Sequence, residues 1–560
     1  MDEALRTIAN LFGTSFDVIE PHLETALASA ADPERSLVYL ERLLEKRDGS
    51  ILADLVRNPR VVESLVTIFS GSQFLAEILL RNPQNVNRLR YRKFLTQRKN
   101  AEQIHLEAAQ VLQEAAGPAR LDALRRYQRG EIFRIGTCDL LTLYDLRTVT
   151  RQLSHLADGL VRVCLDLASL QTGISTDDFV VIALGKLGAE ELNYSSDIDL
   201  LFVAGHDPMD KLKLGEQLID NLSSVTSEGF LYRVDMRLRP WGRDGFLVPT
   251  YEGYLQYVQR HARLWEKQAL LKARPVAGEI ALGERLLTEA DPSIFAHEPE
   301  EVRASVFAMK QRTEQVLQQK GRDWGEVKLG EGSIRDVEFV VQSLQLAYGN
   351  QYPDVRGRAT LQVLPPLARH HLLTGEEARI LADGYTLLRT IEHYIQVMDY
   401  QQTYTIPSDP KALALLAARL GFEDTETLIH RYDEHRKAIR AIYLQRVGNE
   451  PVNESQPQVV QHLARLGAEY AESFSAAEIQ QHADLARGVT EQAPAIVDAQ
   501  ILSNDSWRVT VVGYDYPGEL SIICGLLFVF GFNIIDGNAF TYEPVLESPQ
   551  ESHRQAFTHA

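Results

Sequence analysis

Two aspartates in the middle of the chain have a spacing that suits metal binding. Asp197 and Asp199 are separated by one residue in the segment GKLGAEELNYSSDIDLLF (185–202), at the start of an apolar run. Side chains alternate along a strand, so both carboxylates project to one side of the predicted strand and Ile198 projects to the other. Two carboxylates this close repel each other and lose hydration, and a bound cation would offset that cost.

A third carboxylate follows in the segment FLYRVDMRLRP (230–240), whose strict alternation predicts another strand. Its apolar face belongs against a core, while Asp235 shares the opposite face with Arg233, Arg237 and Arg239. If this strand lies beside the first one, Asp235 joins the aspartate pair. Three carboxylates on neighbouring strands suit Mg²⁺, which can stabilise the attacking and the leaving oxygen at a substrate phosphorus.

A glycine turn precedes the aspartates. The residues from Gly185 to Gly188 predict a tight turn at the start of a helix, where free backbone N–H groups can receive phosphate. The turn matches neither GxxxxGK[ST] nor GxGxxG, which excludes the P-loop and the dinucleotide-binding fingerprint. A D-x-D pair alone is more often structural than catalytic, and the combination of the three motifs is the stronger signal.

The pattern of apolar residues divides the chain into five predicted parts. Three- and four-residue spacing predicts helices in the first part, and strands alternate with helices around the aspartates. Long helices return from about 300, and a polar, proline-bearing linker follows at 448–458. The predicted domains are 1–170, helical; 171–295, the α/β module; 296–447, a helical bundle; 448–500, a linker and helical segment; and 501–560, a small tail. The predicted fold class is multidomain α+β, mostly helical.

Composition and net charge exclude several classes of protein for this chain. The chain has 560 residues, 45% of them apolar and 24% charged, which is ordinary for a protein of several water-exposed domains. Its three cysteines form no CxxC pair, which excludes a thiolate zinc site or a disulfide framework. No apolar run predicts a membrane span and no signal pattern begins the chain, so we expect a cytoplasmic location. The net charge of −19 disfavours nucleic acid as a partner.

Taken together, the motifs resemble a known enzyme family. A strand, G-K, a D-x-D strand and a third aspartate after a helix resemble the layout of DNA polymerase β-like nucleotidyltransferases. Within that superfamily the chain resembles the glutamine synthetase adenylyltransferases, bifunctional enzymes that add and remove AMP. The segments that carry the resemblance, between about 124 and 345, are LRRYQRGEIFRI, LGKLGAEELNYSSDIDLLF, YRVDMRLRPWGRDGFLV, WEKQALLKARPVAG and GSIRDVEFVVQ.

The resemblance implies a role for each motif. Asp197 and Asp199 would bind metal, and Asp235 would be the third metal-facing carboxylate or the base. The residues that the resemblance implies for binding nucleotide and phosphate are Gly185, Lys186, Ser196, Arg237 and Arg239. Magnesium is the implied cofactor, and ATP, ADP and phosphate are the implied small substrates.

Asp336 and Glu338 lie in the first turn of a helix predicted after the glycine of GSIRDVEF. Acidic residues in a first turn interact favourably with the helix dipole, which explains their placement fully. Whether they also contact the active site, as a second layer behind it, is left open. Trp265, Glu266 and Arg274 match a family segment too, and we expect them to be structural.

The family implies a tyrosine of glutamine synthetase as the protein substrate, in the control of nitrogen assimilation. The segment ELNYSSDIDL resembles the AMP-removing half of those enzymes more than the AMP-adding half. It also follows a helical N-terminal segment similar in length to the one that precedes the AMP-removing site in the family. Both directions displace a group at the α-phosphorus with the same metals. We therefore expect AMP removal by phosphorolysis, with AMP addition as the alternative.

The tail WRVTVVGYDYPGELSIICGLLFVFGFNIIDGNAF (507–540) resembles the first half of an ACT domain, a small βαββαβ sensor of amino acids. Asp515, Pro517 and Gly518 would form its turn, next to a helix N-terminus that could lie near a ligand. Only about half of such a domain is matched, so we expect an incomplete one. The resemblance implies an amino-acid effector such as glutamine, and the PII signalling protein as a further partner.

Two other functions stay open. A PII uridylyltransferase is one, because FSAAEIQQHADLARG (474–488) resembles the segment before the ACT domains of that enzyme. Such enzymes usually carry an HD-type hydrolase domain, and here the adjacent His206 and Asp207 lack a supporting histidine cluster. A non-catalytic scaffold that senses nucleotide or amino acid is the other. It is disfavoured because it gives no reason to keep three mutually repelling carboxylates.

Overall fold

The protein is described by a computed structural model. The described residues are 2–45, 49–117, 119–242, 245–295, 297–319, 321, 324–399, 403–448, 459, 462–463, 465–466, 470, 474, 476–490, 492–501, 507–514, 518–532, 534, 537–542 and 558–559. They divide into two compact units. The first comprises 1–299 and 324–443, and the second comprises 300–323 and 444–560.

The N-terminal part of the first unit is helical, as predicted. Its helices are Asp2–Phe12 (α1), Phe16–Ser29 (α2), Pro33–Glu45 (α3), Gly49–Arg57 (α4), Arg60–Gly71 (α5), Gln73–Arg81 (α6), Val86–Leu89 (α7), Arg92–Leu95 (α8), Ala101–Glu114 (α9), Ala119–Leu140 (α10) and Leu146–Thr172 (α11). Both Asn-Pro pairs end a helix, because the residue before proline avoids the helical conformation. Helix α4 ends just before Asn58, and α6 ends just before Asn82.

A small mixed sheet follows and carries the aspartates. The elements here are Phe179–Ala183 (β1), Gly185–Gly188 (α12), Ile198–Ala204 (β2), Pro208–Ser223 (α13), Val234–Asp235 (β3), Tyr251–Arg260 (α14), Leu264–Leu270 (α15), Arg274–Gly278 (β4) and Ile280–Ile294 (α16). The strand order is β3-β2-β1-β4, in which β1 pairs antiparallel with β2 and β4, while β2 and β3 are parallel. The predicted alternation of strands and helices is therefore confirmed.

One predicted strand is much shorter in the structure. The alternation of 230–240 predicts a full strand, but β3 contains only Val234 and Asp235. The chain turns immediately afterwards, because Asp235 accepts a hydrogen bond from the Arg237 backbone N–H at 2.9 Å and so closes a local turn. Arg237 and Arg239 lie beyond the strand, and the prediction that they extend one strand face is wrong.

The rest of the first unit is again helical. Its helices are Ile334–Tyr348 (α18), Thr360–Arg369 (α19), Gly375–Asp399 (α20), Pro410–Arg419 (α21) and Thr425–Arg446 (α22), whose last residues fall in the second unit; the helix before them, Pro299–Gln319 (α17), belongs to the second unit except for its first residue. The buried apolar residues of the N-terminal helices and of β1 and β2 form one continuous cluster. The sheet thus shares its core with the N-terminal helices, and the predicted domain boundaries remain predictions.

The second unit contains the tail. Its described elements include Ala476–Gly488 (α23), Ala495–Ile501 (β5), Trp507–Tyr514 (β6), Glu519–Val529 (α24) and Thr558–His559 (β7). Strand β6 and helix α24 match the predicted tail, whereas β5 lies in the segment predicted as linker and helix. The sequence pattern of 507–543 predicts a strand, a turn, a helix and a second strand, but the described residues after α24, up to 542, form no regular strand. The likeness to an ACT domain remains a prediction.

Among the described residues, no helix is both long enough and apolar enough to cross a membrane.

A buried ion pair holds the glycine turn in place. Both terminal nitrogens of Arg274 donate to the carboxylate of Asp158 in α11, at 2.8 and 3.1 Å. Arg274 also donates to the carbonyl oxygens of Leu187 and Gly188, at 2.9 and 3.3 Å. Since the Asp158 side chain is only 2% exposed, Arg274 both neutralises this carboxylate and fixes α12 on the end of β4. This is the structural role expected of Arg274.

We predict that Arg274→Met lowers the free energy of unfolding of the first unit by about 3 kcal/mol, because it leaves a buried carboxylate without its cation. The matched control is Arg379→Met, which breaks an exposed pair with Asp383 and should change stability by less than about 1 kcal/mol. Calorimetric unfolding at pH 7 measures both. Equal effects of the two substitutions would show that the Arg274 pair is not a stabilising contact.

Candidate active site

The site is built on a close contact between a glycine and a carboxylate. Gly185 follows β1 with a φ of +54°, in the left-handed region that glycine adopts without strain. A Cβ atom at this position would collide with a carboxylate oxygen of Asp199. The contact is set by the β1–β2 pairing, which the Leu184 N–H extends with a 2.9 Å bond to the carbonyl oxygen of Asp199. Position 185 therefore needs a glycine for two separate reasons.

Asp199 and Asp235 lie side by side on neighbouring strands. They are direct partners in the parallel register of β2 and β3, and Asp197 lies two residues before Asp199. Burial raises the pKa of Asp199 to about 6, and the negative charges of Asp235 and Asp197 add to the rise. Lys328 and Arg237 oppose it. The sequence-based prediction that Asp235 lies beside the aspartate pair is confirmed by this register.

Two arginines neutralise the outer carboxylates. The Nε of Arg233 donates to Asp197, and its Nη2 donates to the Ser195 carbonyl oxygen at 2.8 Å. Arg237 places its guanidinium group on Asp235, with Nη2 2.7 Å from one carboxylate oxygen. The Arg233 and Arg237 side chains are 47% and 58% exposed, so both can turn towards solvent. Both carboxylates are thus held by cations that are not themselves buried.

The three aspartates offer carboxylate oxygens, the ligand type that Mg²⁺ prefers. Within the described part of the chain, no three carboxylate, imidazole or thiol groups already converge on one point. Asp197 and Asp235 are instead turned towards their arginines. The chemistry of the set fits Mg²⁺ nonetheless, because Asp199 and Asp235 offer hard oxygen ligands from paired strands and repel each other without a cation.

Lys186 lies beside the site but forms an ion pair with a glutamate outside the three aspartates. Its ammonium nitrogen is 2.5 Å from a carboxylate oxygen of Glu392 in α20. Burial lowers the pKa of Lys186 to about 7; the Glu392 charge opposes this shift, and Arg389 and Lys328 add to it. Its predicted contact with nucleotide therefore stays a prediction.

The Lys186–Glu392 pair belongs to a buried charge network that links α12 and the turn before β4 to α18 and α20. Its six side chains are Lys186, Glu191, Lys272, Glu338, Arg389 and Glu392. Lys272 bonds Glu338 at 2.6 Å and lies 3.9 Å from Glu191, while Arg389 bonds Glu392 at 2.7 Å. The network contains three cations and three anions, so its charges balance.

Asp336 and Glu338 have different roles. Asp336 is fully buried and accepts a 2.7 Å bond from the Gly332 N–H, with Arg440 3.4 Å from the same oxygen. It therefore fixes the turn at the start of α18. Glu338 instead pairs with Lys272 in the buried network behind Lys186. Of the two residues, Glu338 is the one that the structure connects to the site.

Ser196 and Arg239 contact the backbone nearby. The Ser196 hydroxyl accepts a 3.3 Å bond from the Asn193 N–H, in the turn before β2. Arg239 donates to the carbonyl oxygens of Met236 and Gly245, at 3.3 and 3.2 Å. These contacts stabilise loops beside the carboxylates, and the predicted contacts of both residues with phosphate stay predictions.

The remaining candidate residues belong to the tail and to the loop after β2. Asp515 and Pro517 fall outside the described residues, while Gly518 precedes α24 with a φ of +90°. The N–H and ring of His206 contact Asp178, and the Asp207 carboxylate caps α13 through a 3.0 Å bond from the Met209 N–H. The contacts of His206 and Asp207 are thus those of a loop and a helix cap.

The motifs missed several residues of the site. Glu191 and Lys272 lie within the matching segments, but their types and spacing carried no signal. Lys328, Arg389, Glu392 and Tyr404 come from distant parts of the chain, and only folding brings them near Gly185 and Asp199. A signal was available for Lys328 alone, since it lies just before the matching segment GSIRDVEFVVQ.

The chain is similar in sequence to proteins of known families. Residues 62–289, which contain the sheet and the three aspartates, match the family model for glutamate-ammonia ligase adenylyltransferase. The chain belongs to the glutamine synthetase adenylyltransferase family. Residues 302–445 match a second model, that of the GlnD PII-uridylyltransferase. The family match covers the aspartates, whereas the second match covers helices that follow the sheet.

Curated relatives agree with the family. Proteins named bifunctional glutamine synthetase adenylyltransferase/adenylyl-removing enzyme are 35% identical over 406 residues in Hahella chejuensis and 33% identical over 502 residues in Streptomyces avermitilis. These matches cover 67% and 85% of this chain, and 41% and 49% of the relatives. The chain thus spans less than half the length of these relatives.

We predict that Asp199→Asn stabilises the protein freed of divalent cations with EDTA, and more so as the pH rises. The folded-state pKa of Asp199, about 6, lies above its ordinary value of 3.8, so the folded protein binds this proton more tightly than the unfolded chain. The stabilisation that protonated Asp199 contributes to the wild type is fully present below pH 3.8, and it is lost as the pH rises through 6.

The variant should therefore gain about 2 to 3 kcal/mol over the wild type by pH 8, and nothing near pH 4. Thermal unfolding in EDTA across that range measures the difference, with exposed Asp383→Asn as the control substitution. A difference that does not change with pH would contradict the strained, buried state of Asp199.

Proposed function

We propose that the chain is a Mg²⁺-dependent protein nucleotidyltransferase that acts on a tyrosyl–AMP group of glutamine synthetase. The observation that carries this proposal is the direct pairing of Asp199 with Asp235 beside the left-handed Gly185. Paired carboxylates on rigid strands offer hard oxygen ligands for a divalent cation, and such a cation can also bind the phosphate group of a substrate. The names of the relatives supply the reaction and the protein substrate.

Asp199 and Asp235 would hold the cation, with Asp197 as a further ligand. Bound Mg²⁺ supplies charge stabilisation at phosphorus. Arg233 and Arg237, released from their carboxylates, would donate to phosphate oxygens, because their exposed guanidinium groups can turn through solvent. Asp235, the edge carboxylate, would accept or return the tyrosine proton.

We propose AMP removal as the direction. An orthophosphate oxygen bonds to the phosphorus of tyrosyl–AMP, the bond from phosphorus to the tyrosine oxygen breaks, and ADP leaves while the tyrosine oxygen takes up a proton. The likeness of ELNYSSDIDL to the AMP-removing half of the family supports this direction. AMP addition from ATP is the same displacement with a different attacking oxygen.

A second candidate is uridylyl transfer to the PII protein. It is favoured by the match of residues 302–445 to the PII-uridylyltransferase model. That match lies outside the strands that carry the aspartates. We therefore place PII, and an amino-acid effector such as glutamine, as proposed regulators and not as substrates.

We predict that Asp199→Asn and Asp235→Asn each lower turnover about a hundredfold or more while the fold survives, because each removes a ligand that stabilises charge at phosphorus. The assay is mass spectrometry of the glutamine synthetase tyrosine, with Mg²⁺ and orthophosphate or ATP. Asp383→Asn is the matched control and should keep full activity. Near-normal turnover in either site variant would contradict the assignment.

We predict that AMP removal is faster than AMP addition. Adenylylated glutamine synthetase and orthophosphate should yield ADP and free tyrosine at a higher rate than ATP modifies the free tyrosine. The same assay with UTP and a PII protein should give no modification. Efficient AMP addition without ADP formation from phosphate would reverse the direction, and efficient uridylylation of PII would replace the proposed function with the second candidate.

A further inference from the structure

Lys328 is a cation of the site that the sequence motifs did not identify. Its ammonium nitrogen lies 4.2 Å from the centroid of the Tyr404 ring, in a cation–π contact. The same ring also lies near the ammonium group of Lys186, the residue next to Gly185. The Lys328 ammonium group therefore lies beside the glycine turn of the site.

The backbone around Lys328 is fixed on two sides. The Lys328 carbonyl oxygen accepts bonds from the Ser333 hydroxyl at 2.9 Å and from the Arg335 N–H at 3.1 Å. On the other side, the Val327 N–H donates to the Tyr404 carbonyl oxygen at 2.9 Å. The segment that carries Lys328 is thus joined both to the start of α18 and to the segment that carries its aromatic partner.

Lys186 and Lys328 both lie near the Tyr404 ring, but they differ in what else they contact. Lys186 is 5.8 Å from the ring centroid and forms an ion pair with Glu392, whose side chain is fully buried. Turning Lys186 towards a phosphate would leave that buried carboxylate with one cation fewer. Among the described residues, no carboxylate lies within ion-pair distance of the Lys328 ammonium group. Binding a new anion at Lys328 would therefore break no ion pair among the described residues.

We propose that Lys328, held by the ring of Tyr404, contacts the phosphate group next to the α-phosphate. This is the β-phosphate of ADP or ATP, and in AMP removal it is the orthophosphate that attacks. The inference rests on the proposed function of the same site and names the residue that recognises one of its substrates. An ammonium group can form charge-assisted hydrogen bonds with phosphate oxygens, and the aromatic ring keeps it in place without neutralising it.

The test is calorimetric binding of ATP, ADP and AMP, each with Mg²⁺, to the full chain. Lys328→Gln should weaken ATP and ADP binding about tenfold or more and change AMP binding less than about twofold, because AMP lacks the second phosphate. The matched control Lys411→Gln removes an exposed lysine of α21 and should change none of the three.

Variants at Tyr404 separate positioning from contact. Tyr404→Phe keeps the ring face and should bind ADP like the wild type, whereas Tyr404→Leu should weaken ADP binding and leave AMP binding unchanged. Lys328→Arg should recover part of the ADP affinity that Lys328→Gln loses. If Lys328→Gln fails to fold, which its melting temperature will show, the variants at Tyr404 and Lys328→Arg still test the inference.

Several outcomes would overturn the inference. They are unchanged ADP binding in Lys328→Gln, an equal loss for ADP and AMP, which marks a structural role, or a wild-type chain that binds neither ADP nor ATP. None of these measurements uses glutamine synthetase. A wild-type chain that discriminates ADP from AMP through Lys328 but does not act on glutamine synthetase would refute the proposed function and leave this inference standing.

Discussion

The contact between the Asp199 carboxylate and the bare Cα of Gly185 is the constraint on which the site depends. The antiparallel pairing of β1 and β2 sets the distance between them, and a side chain at 185 would break it. The pairing of β2 with β3 places Asp199 beside Asp235. Burial and the neighbouring negative charge raise the pKa of Asp199 there. Such an arrangement is costly for stability alone, and it becomes useful when a cation and phosphate groups share the space.

Two sets of cations surround these carboxylates and differ in how freely they can move. Arg233 and Arg237 are half exposed and pair with the outer carboxylates, so they can exchange that partner for another anion. Behind them, Lys186 belongs to a buried network in which three cations balance three carboxylates. Breaking one of its pairs would cost several kcal/mol, so the network holds its geometry. The α/β module and the helices α18 and α20 are joined through it.

The sequence predicts some parts of this arrangement better than others, for physical reasons. The placement of Asp235 beside Asp199 follows from side-chain alternation and the strand order, and the structure confirms it. The length of β3 did not follow, because alternation cannot show that the Asp235 side chain closes a turn with the Arg237 N–H. Lys186 was expected to bind phosphate, yet its partner Glu392 lies more than two hundred residues away, beyond any motif. Tyr404 was missed for the same reason, whereas Lys328 was missed because it lies just before a matching segment and not within it.

The central claim is that Asp199 and Asp235 hold a divalent cation during nucleotidyl transfer, and anomalous diffraction tests it most directly. Crystals of the chain grown with Mn²⁺ and a non-hydrolysable ATP analogue would locate the metal independently of any activity. We expect an anomalous peak between the Asp199 and Asp235 carboxylates, with Arg237 turned from Asp235 towards the phosphates. A bound analogue with no peak at these carboxylates, or with the metal held elsewhere, would contradict it.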